Sequence, residues 1–100
     1  MEVSDIRQGE WRVIRVDGTE ESMLGKPSIP KIHKALGVEA LDSVTLRRTP
    51  PIVMMVDDTG MVDGKPINPK ATELYHSICK PGTPYSIHGD VAIVNDEDFA

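Results

Sequence analysis

A single cysteine, Cys79, cannot close a disulfide within the chain, so stability has to come from the core, from a partner subunit or from a ligand. No apolar run approaches the roughly 20 residues that a membrane-spanning helix needs. The opening Met1-Glu2-Val3-Ser4-Asp5 lacks the basic and apolar stretches of a secretory signal, and the expectation is a cytoplasmic protein. Basic side chains are outnumbered, eleven against sixteen acidic ones, for a formal charge of −5. That balance argues against a domain built to neutralise the phosphates of a duplex. What is present is ordinary for a globular chain: 100 residues, 39% hydrophobic and 27% charged, enough for one modest core and too few for a catalytic and a regulatory domain together.

Residues 1–8 carry no alternating pattern and read as a loose arm, leaving 9–100 as a single domain. Residues 11–16 alternate as a strand that ends at Asp17-Gly18, and 19–27 have no period and read as a loop. Ser28 is placed to cap a helix over 29–36, with Pro30 in the first turn, Gly37 as its left-handed end, and Ile29, Ile32, His33 and Leu36 on one face. A strand over 43–48 follows, with Val44 and Leu46 on one side and Thr45 and Arg47 on the other. Thr49-Pro50-Pro51 interrupts it, and 52–56 form the next strand. Asn68-Pro69 opens a second helix whose stripe is Ala71, Leu74, Tyr75 and Ile78, Pro81-Gly82 ends it, and 91–94 form a last strand before an acidic tail.

The order β-α-β-β-α-β predicts a small α+β domain of the split βαβ, or ferredoxin-like, type with both helices on one face of the sheet. Residues 52–56 and 91–94 are apolar at every position, as in strands covered on both faces. With the helices on one side, the chain has little besides its N-terminal arm left to cover the other, so a homo-oligomer packed sheet to sheet is expected.

In the C-terminal half, Met55-Val56-Asp57-Asp58-Thr59-Gly60, Gly64-Lys65-Pro66-Ile67-Asn68, Ala71-Thr72-Glu73-Leu74-Tyr75 and Ile87-His88-Gly89-Asp90-Val91-Ala92-Ile93-Val94 follow one another, with Asp96 and Phe99 behind them. In that order they resemble a family of small phage and mobile-element proteins catalogued as domain of unknown function 3846. The resemblance covers about half the chain, mainly residues 52–99, with a weaker likeness over 32–48. It implies a phage or mobile-element setting inside a host cell and brings no agreed reaction, so no catalytic residue comes with it.

Chemistry-bearing residues divide into those with a structural explanation and those left over. Gly60-Met61-Val62-Asp63-Gly64-Lys65-Pro66 is one residue too short between its glycines for a phosphate loop and has Pro66 where the magnesium-binding hydroxyl belongs, so it reads as a turn. Lys65 and Lys70 near the start of the second helix still place positive potential there. His76, Cys79 and His88 offer one thiol and no CxxC pair, a poor zinc set, and Cys79 at a helix C-terminus is a poor nucleophile. His33 reads as a core histidine bonded to a carbonyl, and Tyr75 as core. The carboxylates Asp57, Asp58, Asp63, Asp90, Asp96, Glu97 and Asp98 read as solvated loop charge.

Six residues remain as a candidate ligand set: Arg47 and Arg48, whose forks suit phosphate or carboxylate unless they serve as surface charge or an inter-subunit ion pair; Lys65; Asn68; Tyr85, free to stack on a ring; and His88. No nucleophile, base and orienter occur together. The expectation is therefore a non-catalytic protein, with no metal and no cofactor, that captures a nucleotide or similar anionic small molecule, such as a host defence signal, between subunits. The alternatives are an inhibitor of a host defence or nucleic-acid enzyme, acting through the acidic surface, and a DNA-binding accessory protein or small enzyme.

Overall fold

The computed structural model describes residue 6 and residues 9–48, 51–59, 64–78 and 85–99. Strand β1 (Glu10–Ile14) turns at Asp17-Gly18, where Gly18 takes φ 92° and donates its N–H to the Arg15 carbonyl, into β2 (Glu20–Leu24). Helix α1 (Ile29–Leu36), strands β3 (Leu41–Arg48) and β4 (Pro51–Asp57), helix α2 (Pro69–His76) and strand β5 (Val91–Asn95) follow, and a 3-10 turn over Asp96–Phe99 closes the order. The strands form one sheet in the order β2-β1-β5-β4-β3, every neighbouring pair antiparallel. The result is a small α+β domain.

Both helices begin where their caps require. Ser28 is extended and its Oγ accepts the Lys31 N–H at 3.3 Å, while Gly37 ends α1 at φ 66° with its N–H on the His33 carbonyl. In α2, Asn68 Oδ1 accepts the Ala71 N–H at 3.1 Å and Pro69 occupies a first-turn position that needs no amide.

The expected arrangement is corrected at three points. First, residues 20–24 are a strand and not a loop. β2 is an outer strand whose residues, apart from half-buried Met23, are exposed, so no apolar alternation marks it. Second, β5 lies between β1 and β4, whereas the split βαβ order would make the first strand a neighbour of the strand that here is β4. Third, the helices lie on opposite faces. Ile32 and Leu36 of α1 pack with Trp11, Val13, Val53, Ala92 and Val94. Ala71, Leu74 and Tyr75 of α2 pack with Ile14, Ile52, Met54, Val56, Val91 and Ile93. Successive strand residues point to opposite faces, so one chain covers both sides of β4 and β5. Val91, Ala92, Ile93 and Val94 are each 0% exposed without a partner subunit, which removes the ground on which one was expected.

Ile6, assigned to the arm on its lack of pattern, is 1% exposed and belongs to the α2-side core. Nearby, the Gly9 N–H donates to both oxygens of the buried Asp98 carboxylate, at 3.1 and 3.0 Å, tying the start of the sheet to the turn that follows β5. Asp98 is thus not solvated tail charge. Among the described residues no helix is long and apolar enough to cross a membrane.

Candidate functional site

The six candidate residues do not converge. Arg47 and Arg48 pair with Ile52 and Pro51 at one end of the β3–β4 hairpin, while Leu41 pairs with Asp57 at the other. At about 3.3 Å per residue, the two ends of an eight-residue strand stand on the order of 20 Å apart. Lys65 and His88 belong to the Asp57 end, so no single pocket takes all of the cations.

At the Asp57 end the side chains of Asp57, Thr59, Lys65 and His88 all have internal partners. The Lys65 ammonium donates to Asp57 Oδ2, and the Thr59 backbone N–H and hydroxyl donate to Oδ1 at 3.0 and 3.1 Å. Burial pushes the Asp57 carboxyl up, but Lys65 and the two Thr59 donors outweigh it and hold the group below the ordinary carboxylate range. His88 is half-buried, and its Nδ1 lies 2.8 Å from the Lys65 carbonyl, an acceptor that makes this nitrogen the donor. The segment is held further by Gly89 N–H on the Pro66 carbonyl at 2.9 Å and Asn68 N–H on the Ile87 carbonyl at 2.8 Å.

Asn68 is 0% exposed and closes the junction of three elements. Its Oδ1 caps α2, and its Nδ2 donates to the Ile14 carbonyl at 2.9 Å and the Gly89 carbonyl at 3.0 Å. Both amide protons are used, so it has none to offer a ligand. Asp90, next in the chain to Gly89, is also internal. It accepts from the Val16 N–H and from Arg15, each at 2.9 Å, and Arg15 reaches Glu21 and the Ala35 carbonyl as well. The arginine fork that the structure uses is therefore Arg15.

Arg47 and Arg48 are exposed on the outer strand β3, beside a register shift between Thr45 and Arg47. Charge and a bulge on an outer strand discourage pairing with other chains, which accounts for both residues without a ligand. Tyr85 is 61% exposed, and its carbonyl accepts from His76 Nε2 at 2.6 Å. His33 Nδ1 donates to the Val38 carbonyl at 2.8 Å, the structural role read from its place on α1. Cys79 and the turn at residues 60–63 lie outside the described residues; within them, no three His, Cys, Asp or Glu side chains form a metal-sized cluster.

Other unspent groups meet in a groove of about 450 Å³ between α1 and the β1–β2 hairpin, lined by Trp11, Arg15, Met23, Leu24, Lys31 and Lys34. Trp11 is 3% exposed, and among the described residues its Nε1 is the one buried side-chain polar atom with no hydrogen-bond partner. A buried donor left unpaired costs about 1–3 kcal/mol. Beside it, Lys31 donates to the Lys26 carbonyl at 3.0 Å, and neither Lys31 nor Lys34 has a carboxylate partner among the described residues. Arg15, by contrast, is matched by Glu21 and Asp90.

Sequence reasoning missed this groove because β2, its outer wall, reads as loop, and because Lys31 and Lys34 lie outside the apolar face of α1 on which the helix is recognised. One signal was legible: residues 26–38 hold three lysines and no carboxylate in a chain of charge −5. Compared with family models, curated proteins and solved structures, the chain matches none of them.

Proposed function

We propose that the protein is a non-catalytic binding protein that captures an anionic small molecule of nucleotide size in the groove between α1 and the β1–β2 hairpin. The observation that carries this reading is the pairing of a buried, unpartnered indole donor with two lysines that have no carboxylate partner among the described residues, in a groove within the 300–1,000 Å³ range of small-molecule sites. The groove joins apolar surface from Trp11, Met23 and Leu24 to positive charge, and that combination suits a ligand with a ring at one end and an acid at the other. The mobile-element setting implied by the C-terminal resemblance makes signalling nucleotides the first panel to try.

The test is a thermal-shift screen of nucleoside mono- and diphosphates and cyclic nucleotides. A ligand present at 100 times its Kd adds about 2.7 kcal/mol of stability. Charge reversal by Lys31→Glu with Lys34→Glu should remove the shift, and Arg47→Glu with Arg48→Glu should leave it in place. A panel in which no nucleotide shifts the wild-type protein sinks the proposal.

Self-association remains part of the reading, on a ground different from the apolar strands. Leu24, at the end of the outer strand β2, is 96% exposed, and an open strand edge with a bare leucine favours pairing with a second copy. Light scattering should give a dimer for the wild type and a monomer for Leu24→Glu; a wild-type monomer throughout the micromolar range rejects it.

A further inference from the structure

We propose that Trp11 is the specificity-determining donor of the groove, and that the ligand enters ring first, setting a ring nitrogen or carbonyl oxygen on Trp11 Nε1 and its phosphate on Lys31 and Lys34. This rests on the groove being the anion-binding site, and it adds the ligand's orientation and the chemical feature it must carry. Trp11 holds the only described buried side-chain donor without an acceptor, and the lysines lie on a helix packed over the same face of the sheet. An anion without a ring satisfies the lysines and leaves the indole unpaired; an apolar ring without an acceptor does neither. Discrimination of this kind is strong because the wrong ligand leaves a buried polar group unmatched.

Met23 stands directly across from Trp11 in the β1–β2 register, lines the same groove and is only half-buried. Methionine is unbranched, with three rotatable bonds and a polarisable sulfur, so it can swing aside and repack along a ring where a β-branched side chain could not.

Trp11 is the single tryptophan of the chain, which gives the experiment an unambiguous reporter. In 15N-labelled protein the indole N–H gives one cross-peak. Titrations use the nucleoside monophosphates and ribose 5-phosphate, which keeps the sugar and phosphate but lacks the ring. A bound nucleotide should move the indole proton downfield and slow its exchange with solvent, whereas ribose 5-phosphate should leave it in place. In calorimetry, Trp11→Phe, which keeps a ring and deletes the donor, should weaken nucleotide binding roughly 3- to 10-fold while ribose 5-phosphate binding is unchanged.

A nucleotide that binds, and is lost with the Lys31 and Lys34 reversals, but leaves the indole cross-peak unmoved overturns this inference and leaves the groove intact. Absence of nucleotide binding altogether overturns both.

Discussion

The corner around Asp57 and the groove beside Trp11 each combine lysine with a nitrogen heterocycle, and they differ in whether the polar groups have partners. At the corner, Lys65 is on Asp57, His88 is on a backbone carbonyl, and Asn68 has spent both amide protons. In the groove, the Trp11 N–H is buried without an acceptor, and Lys31 and Lys34 lack carboxylates among the described residues. Three of the residues that look most like a binding site in the sequence, Lys65, Asn68 and His88, therefore hold the fold together. A polar group becomes a candidate for binding through what it has left over, and that is a property of its surroundings.

The contrast can be broken from either side. The largest effect belongs to Asn68→Ala, which removes the α2 cap and strands the Ile14 and Gly89 carbonyls in a buried site; urea denaturation should show a loss of about 3–5 kcal/mol. A loss near zero would show that Asn68 is not structural and return it to the ligand set.

Asp57→Asn weakens the hold of Lys65 and should cost about 1–3 kcal/mol at neutral pH. The same group sets a pH dependence. Folding favours the ionised form, so its contribution is complete above the unfolded carboxylate pKa of about 3.9 and is lost as pH falls through the lower folded-state value. Wild type and Asp57→Asn should converge in stability below that range, as read from urea midpoints across an acid series.

Gly37→Ala places a side chain at φ 66° and should cost about 1 kcal/mol, a local check that α1, one wall of the groove, ends where its cap says. The smallest effect is expected on the groove side. Reversing Lys31 and Lys34 should change stability by no more than about 0.5 kcal/mol for each residue, because neither holds a buried partner. A large loss there would make the groove as structural as the corner and erase the distinction.

Local structure was legible wherever one side chain acts on its own backbone. Ser28, Gly37, Asn68 and Pro69 mark both helices, and the apolar runs of β4 and β5 announce strands covered on two sides. The identity of the second cover was not legible. Neither helix carries a label for the face it will choose, and the path of the chain sends α1 over Val13, Val53 and Val94 and α2 over Ile14, Met54 and Ile93. β2 was invisible for a related reason: an outer strand exposed along most of its length needs backbone pairing more than apolar alternation.

The amino-acid sequence by itself determined the two capped helices, the central strands and the acid-free run of lysines over residues 26–38, because these depend on neighbours a few positions apart. Tertiary structure alone decided which polar groups are used up. It brings Asp57 to Lys65, Asn68 to Ile14 and Gly89, and Asp90 to Arg15, and it leaves the indole of Trp11 without an acceptor. Hydrogen bonding is settled by distance and direction in space, and residues that stand from 8 to 75 positions apart acquire those only when the sheet has formed.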